Sequence, residues 1–524
     1  MSETSNTIVN DYSDELQSMS EYITEDELRK YDIDTLLQKA GGFGRMQWWI
    51  MIFVFIGSQG FNCFIFNLAY LELVPLVLWK YSKDSQFVKC DDYKDICAEG
   101  KVFEWKVDYS DPFSFHNWMT DSELYCKSDF SIASFGSSFF LGLGFMGLVL
   151  KFSDNIGRKT LAHYLCVFQI LLIVAQLLSD EYRVYYVLLF LGGLCYAREF
   201  VLYIYAVEMV PERYQVYVAG YALSLTTVVC HLYVSFYFYF GGKSWKYGIG
   251  PCLIMTVLAF FWWFLAPESP RYLYSKKDWS ALHKNLSTIG WVNGVGTFRH
   301  DRNATSSIND QKLLLSEEGT TAVESENKQR EYSVLEALRD RTTKTNLVCI
   351  ILWYTLAAFN YFMVGFYLKY MGGNIYINTI ASTISDLVGN SGVAYIQKWF
   401  GTKKSFIICF VLSAVFAVPL LFLNESGQIA ITVFASKLFL EGAFSLVYFV
   451  GPEYFDPLFV PFSFSMCNFC ARILTITAPQ VAEIKPRQVP IISYLLASGL
   501  AAVAAMFLVK PNKKEPTEVD IQDE

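Results

Sequence analysis

The sequence is short of charge: Asp, Glu, Lys and Arg make up 18% of its 524 residues, against about 25% in an ordinary soluble domain. The net charge of −8 comes with no basic face, which excludes a nucleic-acid partner. The five histidines are scattered, and no HExxH string or Ser-His-Asp constellation appears. No enzyme is therefore expected. A Walker strand-Gly-Lys-Ser/Thr string is missing, which removes an internal ATPase. The twelve cysteines show no metal-ligand spacing, and most, such as Cys467 and Cys470, sit in apolar runs as small core residues. No metal or cofactor is expected. The first 45 residues are polar and acidic and have neither the basic start nor the apolar core of a cleavable signal. The first long apolar run is expected to serve as anchor.

Apolar surface is abundant. Hydrophobic residues reach 53% and aromatics 17%. Single soluble cores stop growing near 250–300 residues, so lipid must cover the remainder. A bilayer span needs about 20 apolar residues. Twelve such runs are present, at 47–70, 130–150, 161–179, 184–206, 216–240, 249–266, 345–368, 376–396, 405–423, 428–450, 458–480 and 489–509. The run at 376–396 is the weakest, because it carries Asn378, Asp386 and Asn390. No window has the turn-punctuated alternation of a membrane barrel. The fold class predicted is an all-α membrane protein of twelve helices in two six-helix bundles, with large loops after helix 1 and helix 6.

The division six plus six is that of a duplicated transporter. It predicts a cytoplasmic N-terminal segment 1–45, a first bundle 46–267 with an extracytoplasmic loop 72–128, a cytoplasmic connection 268–344, a second bundle 345–510 and a tail 511–524. The polar stretch 300–332 is expected to be partly disordered. Orientation follows from Lys151, Arg158, Lys159, Lys398, Lys403 and Lys404 in alternate short loops, which places both termini inside the cell. Of the acceptor strings at Asn285, Asn303 and Asn424, only Asn424 then faces outward.

Four ordered strings carry a resemblance. Asp34-Thr-Leu-Leu-Gln-Lys-Ala-Gly-Gly-Phe-Gly-Arg-Met-Gln47 precedes the first span, and Trp118-Met-Thr-Asp-Ser-Glu-Leu-Tyr-Cys126 closes the first large loop. Asp154-Asn-Ile-Gly-Arg-Lys159 lies between spans two and three, and Pro267-Glu-Ser-Pro-Arg-Tyr-Leu273 follows span six. Together they resemble the organic cation, anion and zwitterion transporters, solute carriers of the major facilitator superfamily. The chain departs from that pattern at Leu150, where glycine is usual. Lys398-Trp-Phe-Gly-Thr-Lys-Lys404 lacks the acid of its first-half counterpart. The arginine expected after Glu453-Tyr-Phe-Asp-Pro457 is absent.

The resemblance implies that Asp154, Arg158, Arg198 and Glu208 latch the cytoplasmic side in one state. Asp154 precedes a helix start, where a carboxylate meets exposed amides and the positive dipole end. The plainer alternative is that Arg158 and Lys159 only hold their loop on the cytoplasmic side. Arg198 lies within an apolar run, where an unpaired guanidinium costs at least ~2.5–3.5 kcal/mol, so it needs a partner. Glu268 and Arg271, one helical turn apart, are expected to pair. Glu453 joins them as a gate candidate.

For the solute, Arg472 sits mid-run in span eleven. The resemblance associates arginine there with anions and zwitterions, and a guanidinium can hold a carboxylate bidentately. The alternative is that Arg472 pairs with Glu441 or Asp386 to hold the bundle. Asn390 falls where anion carriers often have lysine, so a zwitterion between Arg472 and Asp386 fits better. Tyr361 resembles a pocket aromatic of the family; Tyr354, Phe359, Tyr233 and Tyr237 are further candidates. Cys90, Cys97 and Cys126 allow one disulfide, with connectivity open.

The function expected is secondary active or facilitative transport of small organic ions, anionic or zwitterionic before cationic, by alternating access, as symporter, antiporter or uniporter. The chain would act as a monomer in the lipid bilayer of the plasma membrane, with an organelle membrane the alternative. The competing class is a transport-inactive, carrier-like subunit of a larger membrane complex.

Overall fold

The computed structural model describes residues 23–510 except 24, 26, 66–67, 81, 84, 91–92, 98–102, 297–337, 456–458 and 487. The stretch 300–332, Asn303 and the tail 511–524 lie outside the described residues.

Twelve long helical passages follow one another: α1 (Arg45–Ile65), α2 (Asp129–Gly144), α3 (Arg158–Leu178), α4 (Tyr182–Cys195, continuing as Ala197–Glu208), α5 (Glu212–Tyr239), α6 (Trp245–Leu265), α7 (Arg341–Tyr367), α8 (Ile375–Phe400), α9 (Thr402–Ala417), α10 (Ser426–Ser445), α11 (Val460–Thr475) and α12 (Gln488–Met506). Short polar side chains open several of them by taking up amides that the first turn leaves unpaired. Ser128 accepts from Ser131 N at α2, Asp340 from Thr343 N at α7, and Asn374 from Tyr376 N at α8.

Among the described residues, seven passages are long and apolar enough to cross a bilayer by length and composition. The other five, α1, α5, α8, α10 and α11, hold polar residues that the protein buries. On α8 these are Asn378, Ser382, Ser385 and Asp386, and on α10 Ser436, Lys437 and Glu441. Many large apolar side chains stay exposed, among them Phe130, Leu171, Phe261 and Leu500. Hydrocarbon outside and a polar seam inside is the pattern of a multi-pass carrier rather than of a soluble core.

Packing divides the passages into two halves. In the first, α1 packs on α5 and α6, and α2 on α4; in the second, α8 packs on α10, and α7 on α11 and α12. Helices α2 and α4 approach to backbone contact where Gly142 and Gly193 cross: a Cβ on Gly142 would sit 2.0 Å from Phe190 O. The halves meet along two seams, α5 against α8 and α2 against α11. The end bearing the short basic loops is called inner below, and the opposite end outer.

The outer loop after α1 is built on a three-stranded antiparallel sheet, with β1 (Val77–Lys80) between β2 (Val88–Lys89) and β3 (Glu104–Val107). Cys97 is bonded to Cys126, and Cys90 is buried beside the sheet without being part of that bond. Asn117 ties the loop back to the short helix Leu68–Leu71 and the turn after it by donating to Tyr70 O (3.0 Å) and Leu73 O (2.8 Å). Trp118 stacks on Tyr185 at 4.8 Å. At the inner end, short helices Ile33–Lys39, Pro270–Ser275 and Trp279–Asn293 close under the first half. Asn293 joins them to α1, accepting from Met46 N (2.8 Å) and donating to Ala40 O (2.9 Å). Asn285 is buried in that platform.

Candidate functional site

At the inner end, α3 starts on Gly157, at φ 96°, ψ 159°, a backbone region open essentially to glycine alone. A Cβ there would also lie 2.4 Å from Glu268 Oε2. The bare turn lets Glu268 Oε1 accept the amides of Lys159 and Ser269, both at 2.9 Å. Burial nevertheless holds the Glu268 carboxyl above its ordinary value. Next to it, Arg158 grips Glu208 with two parallel bonds, Nε to Oε2 and Nη2 to Oε1, each 3.1 Å. Its Nη1 meets Asp154 Oδ1 at 3.1 Å, and its plane covers the Tyr272 ring at 5.0 Å. Ser269 donates to the same Glu208 carboxylate. Asp154, Arg158, Lys159, Glu208 and Glu268 thus form one cluster, all within the first half.

Two expectations fail here. Glu268 and Arg271 do not pair; Arg271 instead meets Asp34 Oδ1 at 3.2 Å. The helix begins at Pro270 with Ser269 as its cap, so Glu268 lies before it and shares no helical face with Arg271. Arg198 is also absent from the inner cluster. It is fully buried, and its Nη2 donates to Gly57 O at 2.5 Å on α1.

The second half repeats the turn in weaker form. Gly401, at φ 74° and ψ 160°, caps α9. Thr402 donates to Glu453, which also meets the largely exposed Lys510 at 2.8 Å.

Midway along the second half, four helices bring charges together. Lys437 of α10 donates to Asp386 Oδ2 (2.9 Å) and Ser382 Oγ (2.7 Å) of α8. Tyr361 of α7 donates to the same Asp386 oxygen at 3.2 Å, and the Lys437 ammonium lies 4.6 Å from its ring centre. Glu441, one turn along α10, is buried with Oε2 lacking a hydrogen-bond partner among the described residues. Arg472 of α11 is buried with Nε unpartnered and its guanidinium 5.8 Å from the Phe362 ring centre. Among the described residues no acid pairs with Arg472. The expected alternative, an ion pair with Glu441 or Asp386, does not form, because Lys437 has taken Asp386.

The remaining candidates are engaged more locally. Tyr354 donates to Asn468 Oδ1 (3.1 Å), Asn390 accepts from Ser445 (2.5 Å), and Tyr233 donates to Gly248 O (2.9 Å). Lys437 was missed, although a lysine in the 428–450 run carries the same signal as Arg472.

At the outer end the halves are tied to each other. Lys369, just past α7, meets Glu72 Oε2 at 2.7 Å and Glu483 Oε1 at 2.5 Å, all three nearly inaccessible. Ser137 of α2 donates to Ile476 O, and Tyr376 of α8 to Pro112 O. Phe140 packs on Phe362 across the same seam. Beneath this closure Phe140, His231, Tyr361, Ser382 and Lys437 line a cavity of about 30 Å³, room for roughly two waters.

Two six-helix halves around a buried polar seam, with ion pairs at the ends and charges at mid-depth, define a major-facilitator carrier fold. Solved structures agree: the inward-open xylose transporter XylE of E. coli aligns with TM-score 0.58 at 12% identity, covering 91% of this chain and 99% of that one. Its partially occluded inward-open form gives 0.55 at 13% identity, covering 90% and 99%. The family model described as sugar (and other) transporter matches residues 102–510, and the chain belongs to that family. It is a multi-pass integral membrane protein of a transporter family, not of an enzyme family.

Among curated relatives, the putative transporter svop-1 of Caenorhabditis elegans is 28% identical over 136 residues, 25% of this chain and 26% of that protein. Mouse solute carrier family 22 member 4 is 22% identical over 374 residues, 69% and 63%. Human organic cation/carnitine transporter 2 is 20% identical over 433 residues, 79% and 72%. The chain thus spans about a quarter of the first of these relatives and under two thirds of the second.

Proposed function

We propose that the protein carries small zwitterionic or anionic organic solutes across the plasma membrane by alternating access, as a monomer driven by a gradient or by facilitated diffusion. The observation that carries this reading is the Arg472 guanidinium, buried at mid-depth with no acid beside it. A buried cation without a counter-charge is costly, and a solute carboxylate would supply the missing partner in bidentate form. Glu441, likewise buried with an unpartnered oxygen, would face the positive end of a zwitterion. Asp386 is the less suitable acid because Lys437 already holds it. The name of the human relative includes carnitine, which bears a quaternary ammonium and a carboxylate, beside organic cations. Tyr361 would close one wall; Asn390, Tyr354 and Tyr233 would shape its surroundings.

Alternation would use the two ends unequally. The inner cluster of Asp154, Arg158, Lys159, Glu208 and Glu268 would hold the first half as a rigid unit, with Arg271 and Glu453 bracing the two inner faces and Arg198 fixing α4 to α1. Both termini and 268–344 would lie in the cytoplasm, with 72–128 outside. The alternative of a transport-inactive subunit finds no support in the family match.

The test is uptake into proteoliposomes of three labelled probes: carnitine, benzoate and tetraethylammonium. Carnitine and benzoate are expected to enter, and tetraethylammonium to lag. Tetraethylammonium uptake alone, or no uptake of any probe, would overturn the reading.

A further inference from the structure

In the outer tie an acid in excess is buried, whereas at the inner cluster Asp154 is largely exposed. Glu72 and Glu483 share a single cation, Lys369, in a site where side-chain exposure is 1%, 5% and 1%. One carboxylate is therefore in excess where no water screens it. Glu483 has both oxygens engaged: Oε1 by Lys369 and Oε2 by the Tyr370 hydroxyl. Glu72 has one oxygen on Lys369, while Oε1 is buried with no hydrogen-bond partner among the described residues. A proton on that carboxylate removes the spare negative charge, the larger of the two costs.

We propose that Glu72, Lys369 and Glu483 form a proton-binding site that holds the outer ends of the two halves together. The proposal rests on the alternating-access reading above. Glu72 begins the outer loop after α1 and belongs to the first half; Lys369 and Glu483 belong to the second. In the closed state Glu72 Oε2 accepts from Lys369 while Oε1 carries the proton. On opening outward, Glu72 leaves with the first half, meets water and releases that proton to the outer solution. Lys369 stays with Glu483, its charge still matched. Closing reverses the transfer, and no bond other than O–H is made or broken.

The neighbours facing Glu72 are consistent with this. Lys369 favours its ionised form and Glu483 opposes it. Burial is the largest influence, and it pushes the Glu72 carboxyl up to about 7. Tyr370 lies against Lys369, with the ammonium 5.1 Å from its ring centre. Among the described residues Tyr186 on α4 faces Glu72, Tyr93 in the outer loop faces Tyr370, and His231 lines the cavity beneath. A proton bound more tightly in the closed than in the open state stabilises the closed state as pH falls. The window runs from about 7 down to the ordinary glutamate value near 4.3. Between pH 8 and 5.5 the closed-to-open ratio is expected to rise on the order of thirtyfold.

The test uses the full chain in lipid nanodiscs, with spin labels at Glu181→Cys and Glu425→Cys, exposed outer positions on opposite halves. The distance distribution is read at several pH values, with and without carnitine. The expected result is two populations whose ratio moves toward the short distance as pH falls, with the response lost in Glu72→Gln and in Glu483→Gln. Two populations that ignore pH, or substituted proteins that keep the wild-type response, would overturn the proton site alone. A single distance under every condition would overturn alternating access and the proton site with it.

Discussion

The two halves share one helical plan and use their charges differently. In the first half the ionic residues gather at the inner end, where Arg158 joins Glu208 and Asp154 beside the Glu268-capped turn. At mid-depth that half has Arg198, held by a backbone carbonyl, and beside it Glu199, whose Oε1 is buried with no hydrogen-bond partner among the described residues. In the second half the inner end is sparse, with Glu453 meeting Thr402 and an exposed lysine. Its charges lie at mid-depth instead, on α7, α8, α10 and α11. On the function proposed above, the inner end of the first half would serve mechanically and the middle of the second would recognise the solute.

The sharpest way to break that comparison is at Arg472. Arg472→Ala is expected to lower carnitine uptake between tenfold and about a hundredfold, the loss of one charge-assisted pair, with membrane levels unchanged. Arg472→Lys should recover only part, because a lysine cannot bind bidentately. Unaltered uptake in the alanine variant would return recognition to some other part of the seam.

Next comes the inner cluster. Arg158→Ala leaves Glu208 half-buried with only Ser269 beside it, and should cost roughly 2–3 kcal/mol, less than a fully buried pair. Thermal unfolding of the purified protein is the readout, and a melting point within a degree of wild type would contradict it. Smaller again is the contrast between the two turn glycines. Gly157→Ala and Gly401→Ala both force a side chain into a glycine-only region, worth about 1–3 kcal/mol each. Gly157→Ala also drives a methyl group into Glu268, whereas Gly401 has open space around it. The first should unfold several degrees below the second; equal melting points would mean that the Glu268 contact has no mechanical weight. The smallest effect is expected at Lys510→Ala, which removes an exposed pair worth under about 1 kcal/mol.

The fold was legible because a bilayer imposes its thickness on every span, so apolar runs of about 20 residues stand out, the polar-seam helices such as α8 less than the rest. Arg472, Asp386 and Glu441 were legible for the related reason that ionisable residues inside apolar runs stand out. Their pairing was not, since it depends on helix rotation, which a linear pattern leaves open. Lys437 decided it by taking Asp386. Arg198 was expected to join the gate, and its α4 face turns toward Gly57 instead. The Glu268–Arg271 pair failed because three-residue spacing means proximity only within a helix, and Ser269 caps that helix after Glu268. The outer tie left no trace in the sequence. Glu72, Lys369 and Glu483 sit at run ends, where a charged residue looks like ordinary loop, and Glu72 and Lys369 are 297 positions apart.

Recognition of opposite ends of one solute by two unpaired charges is tested most directly by the ratio of carnitine to benzoate uptake. It should be measured in wild type, Arg472→Ala and Glu441→Gln under one gradient. Glu441→Gln is expected to lower the ratio severalfold by losing the ammonium end while keeping the carboxylate, and Arg472→Ala to depress both probes. A ratio unchanged by Glu441→Gln, with benzoate untouched by Arg472→Ala, would contradict a zwitterion held between them.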